Sequence, residues 1–188
     1  MSDSLITKHA LSAAMKELMN ERPMEKIKIG DIVERCGMNR QSFYYHFKDK
    51  YDLVNWIFYT EFLTGIQNAY EKSGWELFEK ICVYFYDNRV FYSNALQVSG
   101  QNSFPEYFDE VMHPLLLAQC RGFLENDKDR EFYATFLADA IRVSITRWLL
   151  EGAKIPAEDF IKLMKTAVSG IAYRVLDQET EPNENQPG

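Results

Sequence analysis

Between Met38 and Leu53 the chain reads MNRQSFYYHFKDKYDL, placing Arg40, Gln41, Ser42, Tyr44, Tyr45, His46, Lys48 and Lys50 within a few helical turns. Most of these side chains donate hydrogen bonds, and two are aromatic rings with polar tips. A face that needed only solubility would carry Glu and Lys instead. The chemistry these types share is contact with nucleic acid. Arg40 can fork onto guanine edges, Gln41 can pair with adenine, and Ser42 suits several bases. A Tyr hydroxyl or a Lys ammonium bonds phosphate and fixes register without reading sequence.

Such side chains need a helix that is held down on one side. At about 100° per residue, Phe43 and Phe47 share a face, Gln41, Tyr44 and Tyr45 point the opposite way, and Arg40, Ser42 and His46 lie toward the flanks. Asn39 is a good N-cap for a helix starting at Arg40. Ahead of it, Ile29, Ile32 and Val33 form a short apolar stripe closed by Gly37 at a C′ position. Leu5, Leu11, Met15, Leu18 and Met19 mark a first helix that ends at Pro23. Two short helices joined by CGMN have the helix-turn-helix format, whose second helix can enter a major groove. Lys28 and Lys50, at the starts of the second and fourth helices, would flank that groove. Each phosphate contact would add salt sensitivity. The pattern alone fits a groove-reading element and a packed polar hairpin equally.

The net charge of −7 argues at first against nucleic acid. Its distribution does not: residues 1–50 carry nine Lys or Arg against seven Asp or Glu, and residues 51–188 carry 12 against 21. The charge asymmetry favours a nucleic-acid-facing N-terminus.

Helical spacing continues along the chain and strand-like alternation is hard to find. Asp49 caps a long fourth helix running to about Lys72, and Ser73-Gly-Trp-Glu76 reads as a capping box for a fifth. Ser103-Phe-Pro-Glu106 is a second capping box, opening a helix to about Glu125. Long helices over roughly 129–151 and 157–177 follow. The polar tail 178–188 is expected to be disordered. The expectation is an all-α chain of about nine helices: a helix-turn-helix domain over 1–49, and a sensing and dimerisation domain over 50–177.

Residues 27–54, IKIGDIVERCGMNRQSFYYHFKDKYDLV, resemble the DNA-binding signature of the TetR family of bacterial transcription regulators. The likeness lies in the Ile-led helix, the Cys-Gly, the small polar cap, the Phe-Tyr-Tyr-His-Phe ending and the Lys-Asp-Lys before a Leu. It covers roughly residues 5–55. The resemblance implies an all-α homodimer bound to a palindromic, double-stranded operator. It also implies DNA contacts at Arg40, Gln41, Ser42, Tyr44, Tyr45 and His46, and a phosphate contact at Lys50. Asn39 and Lys48 join that set. Lys28 stands where the family often has Thr, and Asn39 where it often has Ser.

GWELFEKICVYFYDNRVFYSNAL, followed by FPEYF, is similar to a subgroup that includes regulators of dihydroxyacetone kinase operons. That similarity implies an activator working through a kinase-like partner protein. Repression relieved by a small-molecule effector is the commoner mode in the family and the default expectation. Trp56, Tyr59, Tyr84, Phe85, Phe91, Tyr92, Phe104, Tyr107, Phe108, Phe123 and Trp148 could line an effector pocket or fill a core. The resemblance implies dimerisation through the last two helices. Phe136, Ala140, Val143 and Arg147 make one candidate stripe, and Ile161, Met164, Val168, Ile171 and Val175 another. Both stripes fit an interface or the subunit's own core. Arg142 and Arg147 lie on a largely apolar helix and are expected to pair with acids from another helix, with an acidic ligand as the alternative.

An enzyme is not expected, and neither a cofactor nor a metal. His9, His46 and His113 are scattered, Glu110 and His113 alone make no metal site, and no Gly-rich phosphate loop or nucleophile motif is present. Cys36, Cys82 and Cys120 are unclustered, which fits reduced thiols in a cytosol. The absence of a long apolar run or a leader pattern points to a cytoplasmic protein with no membrane partner.

Overall fold

A computed structural model of the chain describes residues 3–66, 74–120 and 126–180, with side chains over 3–66, 75–118 and 126–170. Among the described residues there are nine α-helices and no strands. They are α1 (Asp3–Glu21), α2 (Ile29–Arg35), α3 (Arg40–His46), α4 (Lys50–Glu61), α5 (Gly74–Asp87), α6 (Arg89–Ala95), α7 (Phe104–Cys120), α8 (Asp127–Leu150) and α9 (Ala157–Thr180).

Local chemistry sets most of the boundaries. After α2, Gly37 takes φ 66°. The Met38 N–H reaches the Val33 carbonyl at 2.7 Å, and the Gly37 N–H the Glu34 carbonyl at 3.2 Å. This is a Schellman stop. α8 ends the same way at Gly152, φ 85°, with the Ala153 N–H on the Trp148 carbonyl at 2.9 Å. A Cβ at position 37 would meet nothing within 4 Å, so Gly37→Ala isolates backbone strain. It should lower stability by about 1–2 kcal/mol, read as a shifted urea midpoint with unchanged slope.

The cap of α4 is as expected: the Asp49 carboxylate accepts from the Tyr51 N–H at 2.8 Å and the Asp52 N–H at 2.9 Å. Its length is not. The described helix stops at Glu61 and tightens into a 3-10 turn over Leu63–Ile66. Two threonines and Gly65 lower helix propensity there, and the turn keeps both Phe62 and Ile66 buried. The remainder of the expected fourth helix, and Ser73 of the capping box expected for the fifth, lie outside the described residues. At α7 the Glu106 carboxylate accepts from the Asn102 N–H at 2.7 Å, one residue earlier than a capping box with Ser103 requires. α7 is described to Cys120, and the expected stretch to Glu125 lies beyond the described residues. α9 is helical to Thr180, past the expected end at Asp177; residues 181–188 are likewise outside the described part.

One apolar core runs from Leu11 in α1 to Ile161 in α9. α4 is its axis, with Leu53, Val54, Ile57 and Phe58 fully buried. A satellite cluster of Leu116, Ala134 and Ala138 joins α7 to α8. Arg142 is held as expected: its Nε donates to Asp109 of α7 at 2.8 Å. Burial raises the proton affinity of that carboxyl, and the neighbouring guanidinium works against the rise.

Candidate nucleic-acid interface

Helix α3 is pinned from below and capped from the front. Phe43 and Phe47 are buried, and Phe47 lies against Lys8 of α1 and Trp56 of α4. The Asn39 side-chain oxygen accepts from the Ser42 N–H at 2.8 Å and from the Ser42 hydroxyl at 3.2 Å. Seven residues are too few for a stable free helix, so packing and the cap carry α3. The opposite face is open: Tyr45 is 82% exposed and Tyr44 57%. Arg40, Gln41 and Lys48 are also exposed. His46 is half-buried, with its ring 4.8 Å from that of Tyr45. Asn39, Gln41, Ser42, Tyr45 and His46 line one shallow concavity together with Thr7 of α1. Apolar periodicity gave no signal for Thr7, because its place depends on how α1 crosses α3.

Charge is partitioned within this region. Arg22 is paired with Asp31 at 3.1 Å, and Arg35 with Glu17 and Glu21 at 3.3 and 2.8 Å. Lys16 is paired with Glu61 at 2.5 Å. Among the described residues no carboxylate lies within ion-pair distance of Lys28, Arg40 or Lys48. The acids of this segment thus neutralise cations away from α3, and the unpaired cations collect around it. A balance of only +2 is thereby concentrated on one face.

Three details refine the expected set. The Arg40 guanidinium lies against the start of α2, so close that a Cβ on Gly30 would stand 3.1 Å from one of its nitrogens. Lys28 is the N-cap of α2 and cannot cap with its side chain; instead its N–H donates to the Asp31 carboxylate at 2.9 Å. Lys50 is turned inward. Its Nζ donates to the carbonyls of Met24, Glu25 and Ile27 at 2.8, 3.1 and 2.9 Å.

The aromatic residues beyond α3 fall into three places. Phe85, Phe104 and Phe108 are buried around Phe58, with Tyr84, Tyr92 and Tyr107 beside them. These rings contact one another, and the concavities described on this chain are lined by other residues. Trp56 sits instead at the junction with the first three helices, 5.7 Å from Phe47 and 5.5 Å from His9. Trp148 stacks on Phe160 at 4.3 Å, and its indole N–H donates to the Ile155 carbonyl at 2.8 Å. Phe91 is buried beneath Lys16. Tyr59 is 52% exposed, and Phe123 lies outside the described residues.

A polar chain crosses the same region. The Tyr84 hydroxyl meets that of Tyr92 at 2.9 Å and the Glu61 carboxylate at 3.1 Å. Glu61 in turn holds Lys16. α1, the end of α4, α5 and α6 are therefore tied through four side chains. Burial pushes both phenols well above the usual tyrosine range.

On α8, Phe136 and Val143 are more than two-fifths exposed, Arg147 is exposed, and Ala140 is half-buried between them. Phe132 and Leu150 extend that apolar stripe along the helix. On α9, Ile161 is buried in the subunit core and Met164 half-buried against it; Leu163 and Val168 are large apolar residues left exposed. The side chains of Ile171 and Val175 are outside the described set. His113 meets Glu131 at 3.1 Å, and among the described residues no three potential ligands gather as a metal site. No helix among the described residues is long and apolar enough to cross a membrane.

Comparison with known proteins agrees with this arrangement. Residues 10–57 match the family described as bacterial regulatory proteins, tetR family, and residues 74–170 match a transcriptional regulator C-terminal region of the same family. The chain is 28% identical over 154 residues to the HTH-type dhaKLM operon transcriptional activator DhaS of Lactococcus lactis subsp. lactis (strain IL1403), covering 78% of this chain and 81% of that one. Among solved structures it resembles the dihydroxyacetone kinase operon activator DhaS, with TM-score 0.64, 21% identity and coverage of 90% and 96% of the two chains. It also resembles NalD, the secondary repressor of the MexAB-OprM multidrug efflux pump in Pseudomonas aeruginosa, with TM-score 0.60, 20% identity and coverage of 87% and 95%. FadR from Bacillus subtilis, in complex with stearoyl-CoA, matches with TM-score 0.58, 15% identity and coverage of 82% and 96%. These relatives are regulators and not enzymes. With an all-α fold, a capped and outward-facing third helix, and both parts of the sequence matched, the chain belongs to the TetR family of bacterial DNA-binding transcriptional regulators.

Proposed function

We propose that this regulator acts in the cytoplasm as a homodimer that reads a palindromic operator through α3. The single observation that carries the reading is the outward face of that helix. Gln41, Tyr44 and Tyr45 are exposed on it, and Lys28, Arg40 and Lys48 surround it with no acidic partner among the described residues. Asn39, Ser42 and His46 support the face from its edges. Residues 1–49 form the reading head and 50–177 the sensing and dimerisation part. Selection from a random duplex pool tests the reading: a two-fold symmetric motif is expected, and general salt-sensitive binding without a motif would reject it.

Dimerisation is assigned to the exposed α8 stripe of Phe136, Ala140, Val143 and Arg147, with α9 beside it. Val143→Glu would place a carboxylate in the middle of that surface. The expected outcome is a monomer by analytical ultracentrifugation, with operator affinity lost because one half-site remains. A dimer of unchanged stability would assign the interface elsewhere.

The sign of regulation has two readings. Repression relieved by a small-molecule effector follows the commoner family mode, and the FadR complex with stearoyl-CoA is a neighbour with a bound small molecule. Activation through a protein co-regulator is favoured by two observations: the mutual packing of the rings around Phe58, and the likeness to an operon activator. Deleting the gene in a reporter strain carrying the selected operator separates the two. Reporter output rises for a repressor and falls for an activator.

A further inference from the structure

An ammonium group has three donors, and those of Lys50 are all used. The accepting carbonyls belong to Met24, Glu25 and Ile27, in the 3-10 turn between α1 and α2 and its C-cap. Met24 and Ile27 are buried. Glu25 and Asp49 are the nearby charges that favour the cation, while burial of the ammonium lowers its proton affinity. The Tyr51 ring lies 5.5 Å from Nζ. The residue following Ile27 is Lys28, the exposed N-cap of α2. A phosphate that took Lys50 would have to displace three carbonyls, of which that of Met24 would keep only the Ile27 N–H.

We propose that Lys50 is a positioning residue, stapling the Met24–Ile27 turn to the start of α4 and thereby setting Lys28 and α2 against the recognition helix, rather than a phosphate ligand. The proposal rests on the DNA-binding reading above. The staple joins residues more than 20 positions apart in sequence, and it spans the helix-turn-helix from its first turn to the helix that leaves it. Lys50 would thus act on DNA through Lys28 and α2.

The charge-keeping variant Lys50→Arg separates the two roles. A planar guanidinium can still meet a phosphate but cannot aim three donors at converging carbonyls. Lys50→Arg, Lys50→Met and Lys48→Met are compared in the full-length protein. Operator affinity is titrated against salt on the selected duplex, and amide exchange is followed by mass spectrometry over residues 24–35. The staple predicts that both Lys50 variants bind about tenfold more weakly, the effect of roughly 1.4 kcal/mol, with the wild-type salt slope and faster exchange at 27–32. Lys48→Met should instead lower the slope by about one with exchange unchanged. The proposal is overturned if Lys50→Arg matches wild type while Lys50→Met loses about one unit of slope and keeps its exchange protection. If Lys50→Met does not fold, Lys50→Arg decides alone, on slope and exchange. If wild type selects no operator and Lys48→Met changes nothing, the DNA reading has failed. The staple then stands on faster exchange in Lys50→Arg and falls on wild-type exchange.

Discussion

Arg40→Ala is expected to give a folded protein that binds duplex DNA with relaxed sequence preference. A bidentate arginine on guanine discriminates by about 1–3 kcal/mol, and a two-fold dimer uses the contact once in each half-site. The selected motif should therefore lose one symmetric pair of positions. Stability should hardly change, because Arg40 is exposed and makes no ion pair among the described residues. Gly30 bears on the same side chain. Its missing Cβ leaves the guanidinium room to lie over the start of α2, so Gly30→Ala should alter the posture of Arg40 at little cost in stability. Tyr44→Phe is the contrast: losing a hydroxyl that bonds phosphate weakens binding to all sequences alike and leaves the motif intact. Selection with each variant, followed by affinity on matched and mismatched duplexes, checks the pair. If Arg40→Ala selects the wild-type motif, sequence is read by other side chains.

The second large effect belongs to Phe58. This ring is fully buried on α4 and lies 5.2–6.4 Å from the rings of Phe62, Tyr84, Phe85, Tyr92, Phe104, Tyr107 and Phe108. Phe58→Ala should cost about 3–5 kcal/mol, through lost transfer energy and the hole left behind. At this chain length each kcal/mol lowers Tm by roughly 2–4 °C. The magnitude also reports on sensing. A filled core gives the full loss, because neighbouring rings collapse only in part. A site with open space beside Phe58 gives a smaller one, recoverable by an apolar ligand. Calorimetry of wild type and variant distinguishes them. α4 leads from Lys50 to this cluster, so movement of the rings would reach the reading head along a single helix. Operator affinity of Phe58→Ala, measured well below its Tm, should therefore change although position 58 is far from α3 in sequence.

Most local structure was legible in the residues. Asn39 and Asp49 cap the helices expected of them, and Gly37 and Gly152 close α2 and α8. Phe43 and Phe47 go inward while Tyr44 and Tyr45 go outward. Each outcome depends on residues within a few positions of one another, where backbone geometry is predictable. The family likeness carried the reading further than pattern alone, which left a groove-reading helix and a polar hairpin equally open. Where local signals were mixed, the expectation failed. The capping-box reading at Ser103 missed that Glu106 would reach Asn102. The fourth helix was expected to continue where Thr60, Thr64 and Gly65 weaken it.

The sequence by itself determined the helical class, the position of the helix-turn-helix and the side chains it displays. Only the tertiary structure decided what lies across space from them. It turned Lys50 onto three carbonyls, paired Arg22 and Arg35 away from α3, and brought Thr7 beside Gln41. It also divided one run of aromatics among a core cluster, a junction at Trp56 and a stack at Trp148, and it sent Ile161 inward. These partners are separated by tens of residues. Residue type and spacing constrain what a side chain can do, but the packing of whole helices decides what it meets.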